Sequence, residues 1–270
     1  MTVVSAFLVP GSPLPYVQSD NPPWQPFVNG FRTAAETLAR SKPETIVIYS
    51  TQWLAVLDQL WLTRPSSVGV HVDENWHEYG ELPFDVTADV ELTNEIISAT
   101  AEVGVRSKGV NYDSFPIDTG TIVASNYLNP EHSLPACVTS NNLYHDWELT
   151  HTLGQVAARI AAAKGRRIAV VGVGGLSGSF FRHPFNIAED HIASSEDDNW
   201  NKKILDLLEA GKVRDLKAAI PDFAQAARAD MGFKHCGFVL GALGDQFSSA
   251  TIHTYGPLYG TGGAVVQFNL

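Results

Sequence analysis

One stretch of the chain concentrates side chains that can hold a metal ion or move protons. Two histidines and three carboxylates stand between residues 71 and 78, namely His71, Asp73, Glu74, His77 and Glu78. Imidazole and carboxylate groups are the ligands of mononuclear non-haem iron sites, and His145 and His191 could join from other loops. Such clusters are more often solvated loop residues than ligands, because a closed metal site demands a particular geometry.

Three further segments place small and polar residues directly after a predicted buried strand. They are residues 9–13, 50–53 and 174–179, and they follow the apolar, β-branched runs Val3 to Val9, Thr45 to Tyr49 and Ile168 to Val173. In open α/β sheets, ligands bind outside the carboxyl ends of the strands. Glycine, proline and serine also dominate ordinary turns, so the spacing alone leaves both interpretations open.

These segments resemble the metal-site loops of the class III extradiol dioxygenases of the protocatechuate 4,5-type superfamily. That family has its first iron-binding histidine in a Pro-His-x-Pro loop, its second in a Ser-x-His-Trp loop, and an acid-base histidine after Gly-Gly-Leu-Ser. In this chain the three histidine positions fall on Gly11, Gln52 and Gly178, and Ser12 follows the first of them. The resemblance continues through residues 76–83 and 241–244, and it therefore implies the family fold from end to end.

The resemblance also implies that a glutamate, the third iron ligand, lies in the late helical segment, yet residues 231–244 contain no glutamate. Glycine has no donor atom, and the neutral amide of Gln52 is a weak replacement for imidazole. We therefore expect no catalytic residue and no metal ligand in this chain. Gly11, Ser12, Gln52 and Gly178 would then mark a vestigial site.

A second group of polar residues follows another predicted strand, Ala136 to Thr139. The resemblance implies that Asn141, Asn142 and His145 lie near the family's substrate pocket, where they could line a vestigial cavity. Turn formation by the asparagine side chains explains the same residues without any pocket.

A scaffold of this family without ligands implies a partner that carries the iron. The resemblance extends to non-catalytic subunits that pair with a homologous, iron-bearing beta subunit in an α2β2 heterotetramer, which cleaves 2-aminophenol with O2 to 2-aminomuconic semialdehyde. It implies no cofactor here, Fe(II) and the small aromatic substrate in the partner, and an assembly role for this chain. Candidate interface anchors, each of which could equally be core, are Trp24, Trp53, Trp61, Trp76 and Trp147.

Two alternatives remain from the residues alone. One is an active metalloenzyme with a relocated site at His71 and His77. The other is a protein that binds small aromatic molecules without any partner.

Composition narrows the class of protein. A net charge of -11 argues against nucleic acid, which is bound through Lys and Arg. Cys137 and Cys236 are too few for a disulfide framework, which favours a reduced cytoplasm. The sequence shows no secretory signal and no apolar run of about 18 residues, so we expect no membrane association.

The elements predicted from periodicity favour one α/β domain over residues 1–270, with a mostly parallel central sheet flanked by helices. An amphipathic helix ending near Ser41 separates the first two strands and gives a β-α-β opening. A second helix is predicted over residues 85–102, with Asp85 or Thr87 as its N-cap. The C-terminal residues predict an edge hairpin with Gly262-Gly263 as its turn.

Overall fold

The structure, a computed structural model, describes residues 2–270, and Met1 lies outside the described residues. The strands are β1 (Val3–Val9), β2 (Thr45–Ala55), β3 (Gln59–Leu62), β4 (Ser66–His71), β5 (Leu82–Thr87), β6 (Ser107–Val110), β7 (Ala136–Asn142), β8 (Ile168–Val173), β9 (Ser249–Leu258) and β10 (Thr261–Asn269). The α-helices are α1 (Leu14–Val17), α2 (Gln25–Ser41), α3 (Val90–Thr100), α4 (Thr119–Leu128), α5 (Trp147–Ala163), α6 (Ser195–Glu209), α7 (Val213–Ala226) and α8 (Lys234–Ala242). Short 3-10 helices cover His77–Tyr79, Ala101–Val103, Ile187–Glu189 and Asp230–Phe233.

The main sheet has the strand order β6-β3-β7-β2-β8-β1-β10-β9. Its central strands β7, β2, β8 and β1 are parallel to one another. The hairpin of β10 and β9 adds antiparallel strands at one edge, and β3 runs antiparallel to β7 near the other. This arrangement confirms the predicted α/β class, the mostly parallel sheet and the C-terminal edge hairpin.

Both faces of the sheet are buried under helices, as the continuous apolar runs of its central strands require. Alternate residues of β1 point to opposite faces. Ala6 and Leu8 belong to the core formed with α3, α5, α6, α7 and α8, whereas Phe7 and Val9 belong to the core formed with α2 and α4. The buried sheet therefore supports the loops that extend from its carboxyl edge.

Strand β2 runs further than the sequence predicted. Its pairing with β7 passes from Tyr49, opposite Thr139, directly to Leu54, opposite Asn141, so the residues between them form an extended bulge. Gln52 therefore lies within a bulged strand rather than in a loop after it. A bulge disrupts the ladder locally and turns side chains in new directions, and bulges are common beside functional sites.

The predicted turn of the C-terminal hairpin was wrong. Tyr259 and Gly260 form the turn, with positive φ angles of 59° and 86°, which is the geometry of a two-residue hairpin loop whose twist matches that of the strands. Gly262 and Gly263 lie inside β10 instead. A Cβ at Gly262 would be 2.3 Å from Asn201 Nδ2, so close packing rather than turn geometry requires the glycine.

The predicted start of the helix at Asp85 or Thr87 was also wrong, since both residues belong to β5. Helix α3 begins after Asp89, whose carboxylate accepts a hydrogen bond from the Leu92 backbone N–H at 3.1 Å. An alternation of apolar and acidic residues suits a half-buried strand as well as a helix, and strand pairing with β4 decided between them. No helix in residues 2–270 has the length and apolar character needed to cross a membrane.

Candidate functional site

A cavity of about 1080 Å³ opens at the carboxyl edge of the parallel strands. Segments that follow β1 and β8 and the end of β2 contribute Ser12, Phe180 and Gln52 to its wall. The β4–β5 side contributes His71 and Trp76. Ligands of open α/β sheets bind in this position, so the predicted site residues are expected to line this cavity.

Two of the predicted vestigial positions lie next to each other. A Cβ added to Gly11 would stand 2.9 Å from Gln52 Nε2 and 3.1 Å from the Cα of Gly120. A Cβ added to Gly120 would in turn be 3.1 Å from Gln52 Oε1. The Gln52 amide thus fills the space beside Gly11, and Ser12 borders the same cavity.

Gly178 differs from these positions, because it is not among the cavity-lining residues of the described chain. Its N–H donates to the Ala227 carbonyl oxygen at 3.0 Å. A Cβ at this position would lie 2.4 Å from the Arg228 carbonyl oxygen, which is too close for any side chain without a backbone shift. The loop after β8 therefore has no room for the imidazole that the resemblance places there.

Asp230 is a cavity residue that the sequence analysis missed. Its Oδ2 accepts hydrogen bonds from the Thr51 hydroxyl at 2.7 Å and from the Gly175 N–H at 2.8 Å. Burial raises the pKa of the Asp230 carboxyl above its ordinary value, although these two donors oppose the change. Asp230 lies one residue before the segment 231–244 in which the family's glutamate is expected, and a carboxylate at that point is the sequence signal for it.

Two other cavity carboxylates, Asp118 and Asp73, are held by neutral donors. Asp118 caps α4 by accepting from the Thr121 N–H at 3.0 Å, and it also accepts from the Ser50 hydroxyl at 2.6 Å. Thr119 donates its hydroxyl to Asp73 at 2.7 Å. Since that hydroxyl has one proton, His71 Nε2, which lies 2.8 Å from the Thr119 oxygen, must be the donor to it.

The predicted cluster of residues 71–78 does not assemble into a metal site. His71 faces the cavity, whereas the His77 side chain is 70% exposed, with its Nδ1 3.3 Å from the Glu74 carbonyl oxygen. His145 is positioned by other contacts, and the His191 ring packs at a tilt against Phe181, with ring centroids 4.9 Å apart. Within residues 2–270 no group of three or more His, Cys, Asp or Glu residues is arranged to hold a metal ion.

Asn141 and Asn142 are buried, and they fasten the end of β7 instead of lining the cavity of the described chain. Asn141 Oδ1 accepts from the Tyr49 hydroxyl at 2.9 Å, and Asn142 Nδ2 donates to the Asp58 carbonyl oxygen at 3.1 Å. Asparagines at the end of a strand are common both in turns and in pockets. Here their side-chain hydrogen bonds hold the end of β7 against neighbouring segments.

His145 belongs to the same structural corner. The buried Lys234 ammonium donates to the carbonyl oxygens of Asn142 at 2.8 Å and His145 at 3.1 Å, and so ties the segment after β7 to the start of α8. Burial, reinforced by the nearby Lys234 charge, lowers the pKa of His145. Asn141, Asn142 and His145 therefore make tertiary contacts, and the pocket expected at them stays a prediction.

The donors around Gln52 do not fit a mononuclear Fe(II) site, which takes two imidazoles and a carboxylate on one face of the metal. Gly11 has no donor atom, and Gln52 has only an amide. Asp230 supplies a carboxylate, but its Oδ2 already accepts two hydrogen bonds. His71 is the one imidazole on the cavity wall within the described residues.

Comparison with known proteins shows which family and which sequences the chain is similar to. Residues 6–269 match the family described as the catalytic LigB subunit of aromatic ring-opening dioxygenase. The chain is 51% identical over 271 residues to a 2-aminophenol 1,6-dioxygenase alpha subunit of a Pseudomonas species, with 100% of each chain covered. It is 23% identical over 288 residues to the beta subunit named for that enzyme, covering 99% of this chain and 94% of the relative.

Among solved structures, an uncharacterized protein of Escherichia coli K12 has the same fold. It superposes with a TM-score of 0.67 at 14% identity, covering 97% of this chain and 98% of the other. At that level of identity the likeness shows the fold alone.

Proposed function

Because this chain belongs to the family of the catalytic LigB subunit of aromatic ring-opening dioxygenases, we propose that it is a ligand-depleted alpha subunit with a structural role. Its complex would be an Fe(II)-dependent extradiol enzyme that cleaves 2-aminophenol, or substituted 2-aminophenols, with O2 to 2-aminomuconic semialdehyde. The full-length likeness to a 2-aminophenol 1,6-dioxygenase alpha subunit supports this substrate. Residues 1–270 would form one domain.

One observation carries the assignment of a non-catalytic role. The two positions where the family's iron-binding histidines are expected hold Gly11 and Gln52, and the Gln52 amide occupies the adjoining space. Asp230 offers a carboxylate, but it has no imidazole pair to complete a facial triad. Iron and the ring-cleaving chemistry would therefore belong to a homologous beta subunit.

An exposed apolar surface supports an assembly role. It is formed by the segment after the β2 bulge and the segment after β7, which are joined by the Leu143 N–H donating to the Ala55 carbonyl oxygen at 2.9 Å. We call it the β2–β7 patch, and its exposed side chains are Leu54, Val56, Leu57, Leu143 and Tyr144. Contiguous exposed apolar residues mark interaction surfaces, and we propose the beta subunit as the partner in an α2β2 complex.

The predicted tryptophan anchors do not support this interface. Trp24, Trp53 and Trp61 are buried in the chain's own core, and they are unavailable to a partner. Trp76 and Trp147 are partly buried and also pack within the chain, Trp76 against Tyr259 and Trp147 against His151. Aliphatic side chains and Tyr144 take over the anchoring role in this proposal.

The proposal is tested by preparing the chain alone, its beta subunit alone, and the two together. Iron content and oxygen uptake with 2-aminophenol are then measured on each. We expect no iron and no oxygen uptake from the lone chain, and full activity from the complex. Stoichiometric iron or ring cleavage in the lone chain would refute the assignment.

A further inference from the structure

The wall of the cavity is strongly acidic. Its carboxylates are Asp73, Glu74, Glu78, Asp118 and Asp230, and no lysine or arginine of the described chain lines it. Asp73 and Asp118 accept hydrogen bonds from neutral hydroxyls, which position their oxygens without supplying a counter-charge. The cavity of a chain with net charge -11 is thus a region of negative potential.

The same wall is rich in aromatic rings, and this is independent of its charge. The rings are those of Trp53, Trp76, Phe115, Phe180, Phe181 and Tyr259. Trp76 meets Tyr259 with ring centroids 4.6 Å apart, and Trp53 meets Phe115 at 5.6 Å. These pairs form two aromatic walls on the cavity.

Apolar side chains on the cavity wall are left exposed. Phe180 is 56% exposed, and Met231 is exposed as well. Large apolar groups exposed around a concave, polar-lined site are a mark of ligand-binding grooves. A ligand with an apolar body would cover these atoms.

We propose that this cavity binds a small organic cation that combines a positively charged ammonium group with an aromatic or methylated body. Aromatic faces attract such cations through the negative charge of their π systems, and the attraction grows when the group is desolvated. The carboxylates add Coulomb attraction, and the lack of basic side chains on the described wall disfavours anionic aromatics. The site needs no metal and is independent of the assembly role proposed above.

The probe for the test is phenyltrimethylammonium, whose charge does not titrate. Binding to the full-length chain is measured by calorimetry and by tryptophan fluorescence, because Trp53 and Trp76 border the cavity. We expect saturable binding at one site that weakens as salt is raised. Benzoate has the same ring with the opposite charge, and tert-butylbenzene is the neutral isostere of the probe; both should bind at least about tenfold more weakly.

Variants distinguish this cavity from nonspecific attraction to an acidic protein. The double change Glu74→Gln and Glu78→Gln should weaken binding of the probe by about three- to tenfold, and Trp76→Ala should weaken it by about tenfold. Glu81→Gln, in an exposed position outside the cavity, is the matched control with unchanged affinity. Since Trp76→Ala removes a ring that packs on Tyr259, Trp76→Phe serves as a variant that keeps an aromatic face.

The proposal is overturned if the probe shows no saturable binding, if benzoate binds as tightly as the cation, or if the two glutamate changes leave the affinity unaltered. The same titration, with the same variants of this chain, is repeated on its complex with the beta subunit. If the complex does not assemble, the result for the lone chain still decides whether the cavity binds the cation. Binding and assembly are therefore decided separately.

Discussion

His235 sits beneath the loop that follows β8, enclosed by the protein and without a hydrogen-bond partner for Nδ1 in the described chain. Its ring packs edge-on against Phe233 at 4.9 Å. A Cβ at Gly174 would be only 2.5 Å from Nδ1, so the glycine makes room for the ring. Burial lowers the pKa of His235 to about 3, because the imidazolium would lose its hydration.

This burial predicts acid sensitivity of the fold. Between the ordinary pKa of 6.5 and the lowered value of about 3, the unfolded chain takes up a proton that the folded chain does not. The contribution of the neutral His235 to stability is therefore complete above pH 6.5, and it is lost as the pH falls through this window. His235→Leu should reduce the loss of unfolding free energy between about pH 7 and about pH 4.5 by about 2 kcal/mol, measured by denaturant titration. His77→Leu, at an exposed position, is the control for replacing a histidine with leucine.

Gly178 is a second position where a single substitution should change the stability of the fold. Gly178→Ala introduces a Cβ 2.4 Å from the Arg228 carbonyl oxygen and should lower the free energy of unfolding by about 1–3 kcal/mol. Gly175→Ala is the matched control, since its nearest contact would be an ordinary 3.4 Å to the Gly262 carbonyl oxygen. Equal stability of the two variants in denaturant titrations would contradict the proposed steric exclusion of a histidine at residue 178.

At the scale of elements, one buried carboxylate hydrogen-bonds both to the C-terminal hairpin and to the residue that begins α2. Asp190 accepts hydrogen bonds from Trp24 Nε1 at 2.8 Å, from the Tyr259 N–H at 2.7 Å and from the Gly260 N–H at 2.9 Å. Trp24 is the N-cap residue of α2, and the other two donors form the turn between β9 and β10. The turn that borders the cavity is thus fixed by a residue far from it in sequence.

Asp190→Ala would leave these buried donors without an acceptor. The free energy of unfolding should fall by about 3 kcal/mol, because each unpaired buried donor costs its desolvation. Thermal and denaturant unfolding measure the loss, with Asp222→Ala at an exposed site of α7 as the control. A loss no larger than that of the control would mean that water replaces the carboxylate.

At the scale of the whole molecule, the β2–β7 patch provides a test of assembly. Leu57 is 77% exposed and Tyr144 81% exposed, so their replacement should not disturb the core. We expect the double change Leu57→Ser and Tyr144→Ser to weaken association with the beta subunit by at least about tenfold, as loss of interface anchors does. The measurement is co-elution and affinity with a tagged beta subunit.

The control for the patch is Leu270→Ser, an exposed apolar residue beyond β10 near the amino end of β1. It should leave association unchanged. Tight binding by the patch variant, with its unfolding midpoint unaltered, would place the interface on another surface.

The chemical groups that are present, and the local elements that carry them, follow from the amino-acid order alone. Residues 11, 52 and 178 bear no histidine, and that fact requires no structure. Helix α2 and the central strands were predictable because apolar spacing within some ten to fifteen residues encodes helical or extended periodicity. The resemblance of three short loops was enough to indicate the family, because each loop motif is a contiguous run of residues that can be recognised in the sequence.

Which residues meet depends on how distant parts of the chain pack. Asp230 hydrogen-bonds to Thr51, which is 179 residues away in the chain, and the bulge in β2 that presents Gln52 depends on its pairing with β7. The asparagines at the end of β7 turned inward because buried backbone groups needed partners there. Such contacts arise from sheet register and packing of distant segments, which local periodicity does not encode.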